Sequence, residues 1–307
     1  MRNYLLIDNN FEEVAEYTPG CWVNVECPDN NDISFLTDGL GIPREIIEYI
    51  SDIDERPRIE IDTPWVLTIL RIPARCHDDR QSTVMTVPIG VITGENVTVT
   101  VCNYRTELIS DFIKHSRQRA VSAGSQSIFI LRLIYSSCFW FLEYLKAINL
   151  TVSEAEKALR ESVRNSDLLE LMKLQKALVY FNTSLRGNEV LIGRLRHVFT
   201  DNFDLDLLED VEIEQKQALN TVNVYSEILM NLTDTYASVI SNNVNAVMKR
   251  MTGTTIVLMI PTIVASFYGM NVVIGLGTNP YGFWIVVGIA VLLTVATFLV
   301  LRFVKWF

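Results

Sequence analysis

The chain has 307 residues and a formal net charge of −10, with a pI near 4.9, which makes nucleic acid a poor partner because a polyphosphate calls for a basic surface. Such acidity serves either a solvated, soluble surface or one that recruits cations. Five cysteines (Cys21, Cys27, Cys76, Cys102, Cys138) are odd in number and form no C-x-x-C pair, which argues against a disulfide framework or a zinc site and for reduced, mostly buried thiols.

The opening segment reaches Asp8 too early to hold the apolar core of a secretory signal, so the N-terminal part is expected in the cytoplasm. Seven of nine prolines fall at or before Pro88, and none lies between Pro88 and Pro261. Within the proline-containing part, residues 43–50 have the spacing of a short amphipathic helix that opens on proline. Residues 65–72, 83–87 and 97–101 are rich in β-branched residues and predict strands, the last two joined by a turn at 93–96. Residues 1–125 are therefore expected to form an α/β cytoplasmic domain.

From Thr106 onward apolar residues recur at helical spacing. Breaks fall at 123–125, at Asn165-Ser166, a predicted N-cap, and at 200–204, so residues 126–204 are expected to form cytoplasmic helices. A last helix begins near Leu205 and continues without a break signal: a stalk over 205–250 and a span over 251–271.

No Asp, Glu, Lys, Arg or His occurs from Met251 through Leu301. A bilayer core requires about 20 apolar residues per helical crossing. Residues 251–271 and 282–301 meet that length on either side of a neutral loop at 272–281, which predicts a membrane hairpin. Lys249 and Arg250 precede the first span, and Arg302 and Lys305 lie in the basic tail, 302–307. Basic residues at both outer ends place both termini in the cytoplasm, in a multi-pass protein of the plasma (inner) membrane.

The last helix carries two stripes. Leu208, Val211, Gln215, Ala218, Val222, Tyr225, Leu229, Leu232, Tyr236 and Val239 alternate steps of three and four, which is a seam for packing against neighbouring helices. The second stripe reads Asp234, Ser238, Ser241, Asn245, Met248, Thr252, Thr255, Met259, Thr262 and Ser266. A line of hydroxyls inside a bilayer must meet another helix or water. Packing between helices is one reading. The other is the lining of a pore, because the stripe continues in phase out of the apolar segment and heads at Asp234, a candidate cation ligand. One helix cannot enclose a pore, so that reading requires a homo-oligomer with cyclic symmetry, in which methionine rings block ions by dewetting when narrow.

Tyr268-Gly269-Met270-Asn271, at the outer end of the first of two C-terminal spans, resembles the signature of the CorA family of divalent cation channels. Residues 245–252 and 260–267 look like that family's pore helix, and Glu55-Arg56-Pro57-Arg58-Ile59-Glu60 resembles a stretch of its cytoplasmic domain. The resemblance implies a homopentameric funnel conducting Mg2+, and in some members Co2+ or Ni2+, with Mg2+ both transported and regulatory and no organic cofactor. It implies a selectivity filter at Gly269, Met270 and Asn271, whose amide ring meets the ion through its waters. Pore and gate levels fall at Asn245, Met248, Met251, Thr252, Thr255, Met259, Thr262 and Ser266. It further implies an intersubunit Mg2+ sensor at Asp210, with a partner near Asp78 or Asp79. One departure stands out: many members carry acids just after Gly-Met-Asn, whereas residues 272–283 here are neutral.

Two rival readings follow. A ZntB-like zinc transporter would use histidine, but His77, His115 and His197 all lie outside the predicted pore. A membrane-tethered sensor or enzyme would need a catalytic motif, and the sequence has no phosphate loop, H-E-x-x-H or G-x-S-x-G.

Overall fold

A computed structural model describes residues 1–6, 11–78, 81–119, 125–161, 165–199, 204–271, 280–304 and 306; the side chains of 76–78, 81–83, 117–119, 158–161 and 165–167 are outside that description. The chain forms two compact units, Met1–Thr233 and Asp234–Phe307.

The first unit is built on a seven-stranded sheet. Its strands are β1 (Arg2–Leu6), β2 (Glu12–Val14), β3 (Cys21–Glu26), β4 (Arg58–Asp62), β5 (Trp65–Asp78), β6 (Gln81–Gly94) and β7 (Val97–Cys102), in the order β2-β1-β3-β7-β6-β5-β4. Only β3 and β7 pair in parallel. They are central and covered on both faces, and every residue of β7 is buried, which is why this run is continuously Val and Thr rather than alternating with charge. The turn expected at 93–96 is the β6–β7 hairpin, closed between Gly94 and Val97.

Two strands are longer than the sequence pattern predicts. β5 continues past Ile72 through Pro73, and β6 continues through Pro88, because each proline lies where the strand has a partner on one side only. β4 covers β5 only from Trp65 to Ile69, and β7 covers β6 only from Gly90 to Gly94. The missing proline N–H therefore removes no ladder bond on that open side.

One sheet face packs on α1 (Asn30–Ser34), a π-helical turn (Phe35–Gly39) and α2 (Arg44–Ser51) through Leu36, Ile46, Ile47 and Ile50 against Val23, Leu67 and Val99. α2 matches the expected helix, with Pro43 as its N-cap residue. The other face packs on α3 (Glu107–Arg119), α4 (Gln126–Glu161), α5 (Asn165–Val198) and the start of α6 (Leu205–Tyr268). There Phe11, Trp22, Phe112 and Phe129 meet edge to face or tilted at centroid distances from 5.1 to 6.3 Å. Asp204 caps α6, accepting from the Leu207 N–H at 3.0 Å.

α4 is long and apolar enough to cross a membrane by length and composition, as are α6 and α7 (Gly282–Phe303). More than half of its most apolar window is buried inside the protein, against 6% for α6 and 0% for α7. Phe129, Ile130, Leu131 and Ile134 fill the first unit's core, so α4 is a core helix, and α6 and α7 are the two candidate spans.

Along the packing seam of α6 from Leu208 through Leu229, Leu208, Val211, Gln215, Ala218, Val222 and Leu229 are buried and Tyr225 is half-buried. Gln215 belongs there because its amide is matched on both sides. Its Nε2 donates to the Leu185 carbonyl at 2.5 Å, and its Oε1 accepts from Cys138 Sγ at 3.2 Å. The four described cysteines are free, and Cys21, Cys102 and Cys138 are buried. Burial strips water from the thiolate and pushes the Cys102 thiol up to about 12.

Arg71 ties the sheet to α5 and to the segment after α2. Its Nε donates to Ser184 Oγ at 3.1 Å, Nη1 to the Ile53 and Glu55 carbonyls at 2.7 and 3.0 Å, and Nη2 to Thr86 O and Oγ1 at 2.8 and 3.1 Å. Asn188 clasps the Arg71 backbone, accepting from its N–H at 3.0 Å and donating to its carbonyl at 2.7 Å. Beside it, Gly187 lets Pro57 approach so closely that an added Cβ would lie 2.8 Å from the ring.

Candidate ion path and regulatory residues

The second stripe runs along α6 and then into the three residues that end it. Asp234, Asn245, Met248, Met251, Thr252, Thr255, Met259, Thr262 and Ser266 are all on α6 and all exposed on the single chain. Met251 lies at the stripe's edge, about 100° around the helix from Thr252.

The hydroxyls have a defined polarity. Thr255 Oγ1 donates to the Met251 carbonyl at 2.9 Å, and Thr262 Oγ1 donates to the Leu258 carbonyl at 3.2 Å. A threonine hydroxyl has one proton, so both protons are held by the helix and each oxygen offers the stripe lone pairs only. Thr254, off the stripe, does the same with Arg250 O at 2.9 Å. Pro261 sits inside this helix and supplies no N–H to the Val257 carbonyl, a gap that a spanning helix tolerates.

α6 ends at Tyr268, and the Gly269 N–H closes the last turn by donating to the Ala265 carbonyl at 2.8 Å. A Cβ on Gly269 would lie 3.1 Å from that same oxygen, closer than an ordinary contact, so the smallest residue lets the chain turn off the helix without displacing it. Met270 and Asn271 follow, both exposed. The exit therefore presents a carboxamide and backbone carbonyls and no charge.

Asp210 is exposed on the first turns of α6 and lines a cleft of about 460 Å³ with Asp111, His115, Arg132, Tyr135 and Ser136. Asp111 Oδ1 meets His115 Nδ1 at 3.1 Å. Asp111 was not singled out by the sequence pattern; its signal is the i, i+4 spacing to His115 on one face of α3. Asp78 ends β5 with its side chain outside the description, and Asp79 lies outside the described residues. Among the described residues no group of three or more His, Cys, Asp or Glu is placed to hold a metal ion.

An α/β unit followed by two exposed C-terminal helices, each long and apolar enough to cross a membrane, marks the class as a membrane protein. Residues 19–302 match the family described as CorA-like Mg2+ transporter protein, and the chain belongs to that family. Among curated relatives, the cobalt/magnesium transport protein CorA of Methanocaldococcus jannaschii is 24% identical over 93% of this chain and 90% of its own length. The cobalt/magnesium transport protein CorA of Thermotoga maritima is 22% identical over 81% and 72%. The complete structure of the CorA magnesium transporter from M. jannaschii has the same fold, with a TM-score of 0.83 and 20% identity over 100% of this chain and 99% of that one.

Proposed function

We propose that this chain is a homopentameric channel that moves Mg2+, with Co2+ and Ni2+ as further substrates, across the plasma membrane. The observation that carries this reading is the continuity of the stripe: from Asp234 to Asn271 one edge of α6 is exposed and its back-bonded threonines face outward as acceptors. Such an edge matches what a hydrated dication presents. Mg2+ holds its water tightly in an octahedral shell, and those waters offer protons outward, so the protein meets them with oxygen acceptors. Copies of α6 around an axis would stack rings of such oxygens, with Asn271 and the Gly269 carbonyl as the outer filter.

Neutral oxygens bind the shell without removing it. Met248, Met251 and Met259 form apolar rings between the polar levels, where a narrow pore empties of water and blocks conduction. Both termini face the cytoplasm. Cytoplasmic Mg2+ regulates opening through Asp210 and acids contributed by a neighbouring copy, with Asp78, Asp79 and Asp111 as candidates. Bound cation offsets the repulsion of facing carboxylates, and its loss loosens the closed assembly.

Full-length protein in liposomes carrying a Mg2+ indicator tests this reading. Asn271→Ala should abolish selective Mg2+ uptake while the protein elutes at the same oligomeric size. Uptake equal to that of the parent would overturn the filter, and zinc flux with negligible Mg2+ flux would overturn the choice of ion.

A further inference from the structure

Residues 234–307 hold four basic side chains, Lys249, Arg250, Arg302 and Lys305, and a single acid, Asp234, which lies about four helical turns before Lys249. In a chain of net charge −10 this inversion is local: Lys249 and Arg250 precede the apolar stretch within α6, and Arg302 lies in the last turn of α7.

We propose that Lys249, Arg250, Arg302 and Trp306 form a binding site for the phosphate of an anionic phospholipid headgroup. Three observations bring these groups together at the boundary of the apolar spans. Arg250 is two residues from both Met248 and Thr252, about 200° around the helix, so it points away from the stripe. Lys249 Nζ lies 5.8 Å from the centre of the Trp306 ring, which joins the start of the apolar stretch of α6 to the segment after α7 and holds the ammonium against an aromatic of the kind that settles at headgroup depth. Trp306 is itself fixed by the turn that follows α7, its N–H donating to the Leu301 carbonyl at 2.9 Å.

The surroundings separate a lipid from free phosphate. Val300 and Phe303 flank Arg302 along α7 at 60% and 89% exposure on the single chain. They give acyl chains a surface next to the charge, for which inorganic phosphate has no use. The site rests on the membrane reading of α6 and α7 and not on which ion is transported, so its test measures lipid and not flux.

Full-length protein in neutral detergent, supplied with equal phosphatidylglycerol and phosphatidylcholine, is examined by native mass spectrometry for retained lipid. The parent should retain phosphatidylglycerol preferentially, and Lys249→Gln with Arg302→Gln should lower that preference by about fivefold per charge removed. Lys249→Arg with Arg302→Lys, which keeps the charge, should restore it and guards against a folding defect. Equal retention of the two lipids by the parent, or displacement of phosphatidylglycerol by millimolar inorganic phosphate, overturns the proposal.

Discussion

Arg71→Met removes a guanidinium whose five N–H donors all meet neutral oxygens: Ser184 Oγ, the Ile53 and Glu55 carbonyls, and both oxygens of Thr86. Summing five bonds from a charged donor at about 1.5–3 kcal/mol each would make this one side chain worth as much as a whole domain's net stability, so the sum is the wrong estimate. Burial withdraws the Arg71 charge from water and pulls its pKa below the ordinary arginine value, a desolvation that methionine avoids. Ser184 and Thr86 still have each other at 2.8 Å, and the Ile53 carbonyl lies in an exposed segment that water can reach. What remains uncompensated is the Thr86 and Glu55 side of the hub and the clamp on α5, about 3–5 kcal/mol by analogy with buried polar networks broken from one end. For a unit of this size that is a fall in Tm of about 6–20 °C. Thermal unfolding of full-length protein in detergent reads the shift, and hydrogen exchange should rise first at residues 53–57 and 184–188. A change below about 3 °C would refute the claim that this fork, rather than the apolar core alone, holds α5 on the sheet.

Thr255→Val keeps the shape and removes the one outward oxygen, so Mg2+ uptake should slow by about fivefold for about 1 kcal/mol of lost acceptor, while Thr255→Ser should keep the parent rate; equal rates for all three would remove this level from the path. Asp210→Asn should weaken inhibition by internal Mg2+ by roughly tenfold, about 1.5 kcal/mol for one charged acceptor, read as a shift of the inhibition curve in liposomes. Burial raises the Glu26 pKa above the ordinary carboxylate value, with Thr106 and Arg105 opposing it. The Glu26 contribution to folding stability is then fullest below the unfolded value and is lost as pH rises through the folded one. Glu26→Gln should flatten that dependence in unfolding experiments from pH 4 upward, and an unchanged slope would remove Glu26 as its source.

What could be read from the sequence is what repeats. The seam at Leu208, Val211, Ala218 and Val222 is visible because burial on a helix enforces a period of 3.6, and the charge-free run from Met251 to Leu301 is visible because a bilayer admits little else. Gln215 fits the seam by position, but its reason, a carbonyl on α5 and a thiol on α4, lies 30 and 77 residues away and leaves no local trace. The full length of β5 and β6 was hidden for a different reason. Proline marks a strand end only if both neighbours are paired there, and which edges are open at Pro73 and Pro88 is decided by how far β4 and β7 extend. β1, β2 and β4 are short or charged and carry too few residues for their alternation to stand out. Asp111 was missed because its meaning depends on α3 lying beside the start of α6, where it shares a cleft with Asp210.

The distribution of charge follows from what a dication demands of a path. At about 4 Å and an effective dielectric near 20, one carboxylate attracts a doubly charged ion by roughly 8 kcal/mol. A ring of carboxylates repeated by symmetry would hold the ion for far longer than conduction permits. From Met251 through Leu301 the chain has no such group; the stripe offers amide, hydroxyl and thioether instead, and the protons of Thr255 and Thr262 are committed to the helix. The acids are concentrated in residues 1–233, where all but one of the chain's carboxylates lie. On the proposed reading that division assigns attraction and sensing to the soluble unit, where tight binding serves regulation, and leaves the membrane path with contacts weak enough to release the ion at each level.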